Sequence, residues 1–567
     1  METINSFKGY GKVDPIQNRS FQAKSRRRLI LIAVSVVVLV AILISIAAAT
    51  ISHSHHHSST TTASSASYVK SICSVTKYPD TCFSTLSNSN SSDPRRLLAL
   101  SLQIAAAELN KLTDLPSSVS AKLGDSGIGN ATIQVCETLI EDAIDRLNDS
   151  VSSSVHVTDS AVRDDLRTWL STAITDLETC FDSVSVVKGS GPAVAADLRS
   201  AAKNSSELVS NSLAIVTKLF DVFSEFNGRK LLGRRQLLWP EWVGESERRM
   251  LQAAAGTIKA DIVVAQDGSG DYKTITEAVA AVPLKNTSRF VMHVKEGVYV
   301  ENVLVGKNVW NLMMIGDGTG STVVSGSLNF VDGTPTFSTA TFAVNGQGFI
   351  AKSMGFKNTA GAAKHQAVAF RSGSDQSIYY QCLFDGYQDT LYSYSNRQFY
   401  RECTITGTID FIFGNAAAVY QSCTITPRQP LTGQFNTITA QGKTDSNQNT
   451  GISIQKGTIA PLGSVTARTY LGRPWKAYAT TVFMECSIGS LVNPQGWIEW
   501  IIGTEPNSTI FYAEYQNTGA GANVSQRVKW AGVYPALTAS RASQYTVSSF
   551  LGTSWLTGTN VAFDSTL

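Results

Sequence analysis

Three patterns of apolar spacing divide the chain. From Leu29 to Ala49 apolar residues run unbroken except for Ser35 and Ser45, and a run of about twenty such residues spans a bilayer as a helix. Lys24, Arg26, Arg27 and Arg28 stand directly before it. The positive-inside rule then keeps residues 1–28 cytoplasmic and sends the chain after residue 50 to the lumen, so 29–49 is expected to be a transmembrane signal anchor. A removable signal peptide, the competing reading, would begin nearer Met1 and carry a shorter apolar core. The segment His53 to Ser67, "HSHHHSSTTTASSAS", makes residues 50–66 an expected flexible polar spacer without a metal, because no further ligand is fixed beside the histidines.

Residues 67–227 follow a second pattern. "RRLLALSLQIAAAELNKL", "VCETLIEDAIDRLNDSV" and "VRDDLRTWLSTAITDLETCFD" repeat apolar residues every three or four positions, the spacing of amphipathic helices in a bundle. The four cysteines of this all-α region are Cys73, Cys82, Cys136 and Cys180. In an oxidising compartment the economical pairing is 73 with 82 and 136 with 180, although four cysteines permit three connectivities. A linker over 228–251 follows, with the dibasic phrases Arg229-Lys230, Arg234-Arg235 and Arg248-Arg249. Three in one exposed segment predict cutting by a subtilisin-like processing protease, which would make the helical region a pro-region.

From residue 252 the third pattern takes over. Short alternating or apolar runs, such as "RFVMHVKEGVYVENVLV" and "FIAKSMGFKNTAG", are punctuated by Gly, Asn and Asp and predict many short strands. They also repeat. "IYYQCLFDGYQDTLY" and "QFYRECTITGTIDFIF" align with Cys382 over Cys403, "AVYQSCTIT" continues the series with Cys423, and "VFMECSIG" with Cys486 is a candidate later member. A period of 20 to 21 residues is one coil of a β-solenoid, which buries its core by stacking like strands. Whether these four cysteines stay thiols or pair across coils is open. The fold class expected is an all-α helical bundle followed by an all-β solenoid.

The repeat also places the chemistry. Asp389 and Asp410 each lie seven residues after their cysteine, so they occupy equivalent positions on coils about 4.8 Å apart. Two carboxylates this close resist ionising together, which supplies an acid and a base or nucleophile; an aspartate ladder capping turns would look the same by repetition alone. Glu402 sits beside Arg401 and reads as an ordinary exposed charge. Gln366 and Gln388 are uncharged amide donors suited to a developing oxyanion. In "YLGRPWKAY", Arg473 can orient a carboxylate and Trp475 can stack on a sugar ring.

Composition removes other classes. With 567 residues and 43% hydrophobic content the chain needs at least two folded units. A formal charge of +3, and 21 Lys and Arg against 19 Asp and Glu from residue 252 onward, give no nucleic-acid surface. There is no G-x-S-x-G elbow or H-E-x-x-H, "GKT" at 442–444 lacks the earlier glycine of a P-loop, and the C-terminal part has only His293 and His365. No cofactor, metal or nucleotide is implied. Asn90, Asn130, Asn148, Asn204, Asn286, Asn507 and Asn523 begin N-x-S/T sequons, consistent with glycosylation in the secretory pathway.

"GVYVE" (297–301), "HQAVA" (365–369), "GYQDTLY" (386–392), "DFIFGNA" (410–416) and "LGRPW" (471–475) occur in the order seen in plant pectin methylesterases, which residues 258–565 therefore resemble. The helical region resembles the pectin methylesterase inhibitor-like pro-region of the longer members. The resemblance implies a right-handed parallel β-helix and a carboxylic ester hydrolase, a pectinesterase, that removes methyl groups from homogalacturonan (pectin) in the cell wall. It also implies Asp410 as nucleophile, Asp389 as general acid then base, Gln366 and Gln388 as oxyanion donors, Arg473 on Asp410, and Thr336, Gln366, Arg473 and Trp475 against substrate. Expected partners are pectin, the processing protease, separate inhibitor proteins and, before processing, the membrane; the helical region is expected to be autoinhibitory or chaperone-like. A pectin-chain glycosidase, which also uses paired carboxylates, and a non-catalytic wall protein acting as inhibitor or scaffold are the alternatives.

Overall fold

The computed structural model describes residues 61–219 and 259–567, apart from 125, 126, 557, 558 and 560. The chain divides between Ser64 and Ser65, and nearly all the described residues belong to Ser65–Leu567. The expected anchor at 29–49, the histidine run and the dibasic linker lie outside the described residues. Among the described residues no helix is long and apolar enough to cross a membrane.

The helical region is built from the predicted amphipathic stretches. Its long helices are α1 (Pro94–Asn110), α2 (Gly127–Ser153), α3 (Ser160–Ser185) and α4 (Lys203–Ala214). The starts of α1 and α3 are set by side-chain caps: Asp93 accepts from the Arg95 N–H and Asp159 from the Ala161 N–H, each satisfying an amide that the first turn leaves free. Leu98, Leu102, Leu139, Leu166, Leu170 and Leu213 meet in the bundle core, all fully or almost fully buried. Disulfides join Cys73 to Cys82 and Cys136 to Cys180.

One boundary differs from the expectation. The first helix runs from Thr61 to Cys73, so the last part of the expected spacer, 61–66, is helical. Packing of Val69 and Ile72 nucleates the helix, and extension toward the N-terminus then costs little even through Ser and Thr.

From residue 262 the chain coils through three parallel sheets of eleven, eight and seven strands, a right-handed parallel β-helix. Each coil supplies one strand to each sheet in turn. Ser377–Tyr380, Leu383–Asp385 and Leu391–Ser393 form one coil, Arg397–Arg401, Thr404–Gly407 and Ile412–Gly414 the next, and Ala417–Gln421, Thr424–Pro427 and Asn436–Gln441 a third. Like residues stack on like. Tyr379, Tyr400 and Tyr420 are in register with ring centroids 4.5 Å apart at each step.

The cysteine series follows the same register. Leu383 pairs with Thr404 and Thr404 with Thr424, which puts Cys382, Cys403 and Cys423 in one column. Thr424 then pairs with Thr458 and Thr458 with Ser487. Cys486 is therefore a member of the column, with Gly457 standing between it and Cys423. All four are buried free thiols.

The residue before each column position turns the corner between two sheets in the left-handed region: Gln381 (φ 52°), Glu402 (54°), Ser422 (54°), Lys456 (55°) and Glu485 (55°). Glu402 is thus an exposed charge with a fixed backbone task, since a non-glycine residue at positive φ costs energy that the stacked coils must supply.

Candidate active site

Asp389 and Asp410 lie just before the strands Leu391–Ser393 and Ile412–Gly414, whose register pairs Leu391 with Ile412. The two aspartates are therefore equivalent across adjacent coils. Both adopt left-handed backbone, φ 63° and 52°, which turns the chain into the strand and aims neighbouring side chains out of the ladder. One coil earlier, Gln366 bridges Gln388 in parallel register. Four expected site residues thus come from three successive turns of one edge.

The two carboxyls have different surroundings. Asp410 is 4% exposed. Its Oδ1 accepts from the Thr437 hydroxyl (2.6 Å) and from Arg473 Nε (2.8 Å), while its Oδ2 accepts only from Arg473 Nη2 (2.6 Å). This is a two-point guanidinium–carboxylate pair, the strongest geometry available to such charges. The Asp410 N–H donates to the same Thr437 oxygen at 2.8 Å, so one hydroxyl ties the carboxylate to its own backbone.

Asp389 has no such partner, its backbone N–H going to the Ile409 carbonyl. Burial pushes its carboxyl well above the ordinary range, the neighbouring Asp410 adds to this, and Arg473 only partly opposes it. The pair is therefore split: one carboxyl is clamped by a cation and the other is biased toward its protonated form.

A cavity of about 290 Å³ opens over both. Thr336, Gln366, Gln388, Arg473 and Trp475 all line it, so the structure brings every expected catalytic and substrate-contacting residue to one place. The Gln366 and Gln388 amides hydrogen-bond no other described side chain or backbone and are left to the cavity. No group of His, Cys, Asp and Glu suited to a metal ion is found among the described residues.

Several lining residues were not anticipated. Tyr392 and Phe413 stack at 4.1 Å and 17°, Phe337 meets Tyr392 edge-on at 6.4 Å, and Trp500 covers the Arg473 guanidinium at 4.3 Å. The repeat carried a signal for the first two, since Tyr392 and Phe413 each follow an aspartate by three residues. Thr437 had none, because its coil departs from the period.

One wall of the cavity comes from the helical region: Thr179, Asp182, Ser183, Ser185 and Val186, at the end of α3. Along α3 a polar stripe faces the β-helix. Thr172 donates to Asn396 (2.8 Å), Thr175 accepts from Asn415 (2.8 Å), Asp176 accepts from the Tyr394 hydroxyl (2.6 Å), and Asp182 pairs with Lys476 (2.7 Å).

Two family profiles match the chain, one described as Pectinesterase over residues 261–554 and one as Plant invertase/pectin methylesterase inhibitor over 67–215. "Pectinesterase 3" of Phaseolus vulgaris is 53% identical over 100% of both chains, and "Pectinesterase 1" of Arabidopsis thaliana is 53% identical over 99% of both. Among solved structures, "Pectin methylesterase from Carrot" is 51% identical with a TM-score of 0.53, covering 55% of this chain and 99% of its own.

Proposed function

The chain belongs to the pectinesterase family, and from its site we infer that Asp410 is the nucleophile and Asp389 the proton-transfer group of a pectin methyl-ester hydrolase. The observation that carries the assignment is the split pair: a guanidinium-clamped carboxylate beside a buried carboxyl biased toward its protonated form, in one cavity.

Asp410 Oδ2, with one donor against the two on Oδ1, keeps a lone pair free and attacks the ester carbonyl carbon. The carbonyl π electrons move to oxygen, and the tetrahedral oxyanion is met by the side-chain N–H groups of Gln366 and Gln388. Collapse breaks the bond to the methoxy oxygen, which takes the Asp389 proton and leaves as methanol. The acyl group now sits on Asp410 as a mixed anhydride. Asp389, ionised, takes a proton from water as the water oxygen attacks that acyl carbon, freeing Asp410 and the uronic acid and restoring the Asp389 proton. The uronic acid then ionises to solvent. Thr336, Gln366, Arg473 and Trp475 hold the sugar chain across the cavity.

The helical region is read as a pro-region spanning 67–227, with the esterase at 252–567. Its α3 walls the cavity, which supports an autoinhibitory rather than merely chaperone-like part. Cutting at the dibasic phrases of 228–251 would release it. A membrane-anchored precursor at 29–49, delivery of the esterase to the cell wall and inhibition by separate proteins complete the proposal. The sequons at Asn90, Asn130, Asn148, Asn204, Asn507 and Asn523 are exposed and Asn286 is half-buried, which leaves each open to a glycan.

The test is methanol release from highly methylesterified homogalacturonan by the segment Leu251–Leu567, beside Asp410→Asn and with reducing ends counted on the same samples. Methanol from the unaltered segment alone, without new reducing ends, is expected. New reducing ends without methanol would mean a glycosidase, and silence in both from folded protein would mean a scaffold.

A further inference from the structure

We propose that Lys476 is a subsite for the ionised carboxylate of a uronate residue flanking the ester under attack. The proposal rests on the pectin methyl-ester reading. It starts from an imbalance of charge on the β-helix. Two cations under the helical region keep acidic partners on the β-helix itself: Arg473 holds Asp410 and Arg397 holds Asp375. Lys476 has none there. Its ammonium is held only by acids of the helical region, with both oxygens of Asp182 at 2.7 and 2.8 Å and Glu178 at 3.8 Å.

Asp182 is not a remote partner. It lines the same cavity as Asp389 and Asp410, so its carboxylate stands where a groove ligand would stand. Both acids are also shared with Arg199 of the helical region, which pairs with Glu178 at 2.7 Å and Asp182 at 3.2 Å. When that region leaves, Arg199 goes with its acids and Lys476 loses every acid paired with it among the described residues, as Lys307 loses Asp142 and Asp145 at a separate cavity.

Lys476 follows Trp475 directly and its ammonium sits 5.7 Å from that ring, so a sugar stacked on the indole brings its neighbour's carboxyl group within reach of Lys476. A methyl ester offers that ammonium a weak carbonyl acceptor, whereas a free uronate offers a full charge and two oxygens. Selectivity for a flanking free acid follows.

The carrot structure is covered over 99% of its length by 55% of this chain, about the share that Leu251–Leu567 makes up, which supports testing that segment as a folded unit. On it, kcat/KM is measured for fully methylesterified and for partially de-esterified homogalacturonan. The value for the partially de-esterified chain divided by that for the fully methylesterified chain is expected to fall about tenfold in Lys476→Met and to stay within about twofold of the unaltered segment in Lys476→Arg and in Lys364→Met, whose lysine pairs with Asp332 on the β-helix.

A merely structural role would lower both substrates together and leave the ratio unmoved, which overturns the proposal. Should Lys476→Met fail to fold, salt decides. Raising NaCl from about 20 to about 300 mM should raise KM for the partially de-esterified chain only, and equal responses overturn the subsite. Absence of methanol from both substrates with the unaltered segment would instead sink the esterase reading beneath it.

Discussion

Replacing Thr437 by Val removes one hydroxyl and keeps the shape. That hydroxyl accepts from the Asp410 N–H at 2.8 Å and donates to Asp410 Oδ1 at 2.6 Å. Two losses follow. The hydrogen bond to a charged acceptor is worth about 1.5–3 kcal/mol, and at about 1.4 kcal/mol per tenfold in rate it corresponds to a kcat reduction of about 10- to 150-fold if it acts in the transition state. Arg473 still holds both carboxylate oxygens, so the lower half of that range is expected. The orphaned, buried Asp410 N–H costs the fold about 1–3 kcal/mol more. In steady-state methanol release by the Leu251–Leu567 segment, Thr437→Val should lower kcat with KM within about twofold, and Thr437→Ser should recover most of the loss. If Ser falls as far as Val, or if Val lowers only the melting temperature and leaves kcat alone, Thr437 is a packing residue and Asp410 needs no second anchor.

Three further outcomes are expected. The Cys136–Cys180 bridge closes a span of 44 residues and Cys73–Cys82 one of 9; by chain entropy, replacing the first pair with Ala should cost the helical region about 4 kcal/mol and the second about 2.6, read from separate denaturant titrations. Docking of α3 should weaken as pH rises. Burial pushes the Asp176 carboxyl well above its ordinary 3.8, Asp142 adds to this, and the Tyr394 hydroxyl, Arg146 and Arg371 oppose it. The docked state therefore binds the proton more tightly than the open state, so docking is firmest below 3.8 and is lost progressively as pH climbs toward the raised value. The activity of the intact chain relative to the free segment should rise over that window, and Asp176→Asn should flatten the rise. Removing the capping carboxylate with Asp159→Ala should cost α3 about 1 kcal/mol, seen as faster amide exchange in its first turn and no change within the β-helix.

How far the fold could be read from the chain depends on whether the repeat held its length. Cys382, Cys403 and Cys423 recur at 21 and 20 residues, and the same offset pairs Leu391 with Ile412, so the equivalence of Asp389 and Asp410 was legible. The next coil pairs Ile412 with Thr439, an offset of 27, because a longer loop precedes Asn436–Gln441. Thr437 was invisible for that reason. Arg473 lies 63 residues beyond Asp410, and only its proline-flanked motif marked it. Gly457 in the cysteine column was equally hidden, since register rather than residue type places it. On α3 the amphipathic spacing identified the bundle face through Leu166 and Leu170. The spacing said nothing of its polar face, where Thr168, Ser171, Thr172 and Asp176 are at most 5% exposed. Periodicity separates apolar from polar positions and does not say whether water or another domain meets the polar ones.

The chemistry of that face follows from what lies beneath it. A groove meant for a sugar chain is lined with amides, hydroxyls and aromatic rings, and a helix covering it with leucines would bury those polar groups unpaired at about 1–3 kcal/mol each. Thr172, Thr175 and Asp176 instead satisfy Asn396, Asn415 and Tyr394, while the Ser171 carbonyl accepts from Gln448 at 3.0 Å and Ser210 donates to Asp445 at 2.6 Å. Each such bond nets only about 0.5–1.5 kcal/mol, because water offers the groove an equivalent partner once the helix departs. A largely polar cap can thus seat while tethered and, when cut away, uncover apolar surface chiefly at the aromatic patch of Phe337, Tyr392, Tyr394 and Phe413. Asp176 carries the exception that makes the seating conditional. Its Oδ2 is buried without a hydrogen-bond partner, so burial outweighs the Tyr394 hydroxyl, Arg146 and Arg371 in resisting ionisation there, and the proton that relieves it is supplied or withheld by the surrounding pH.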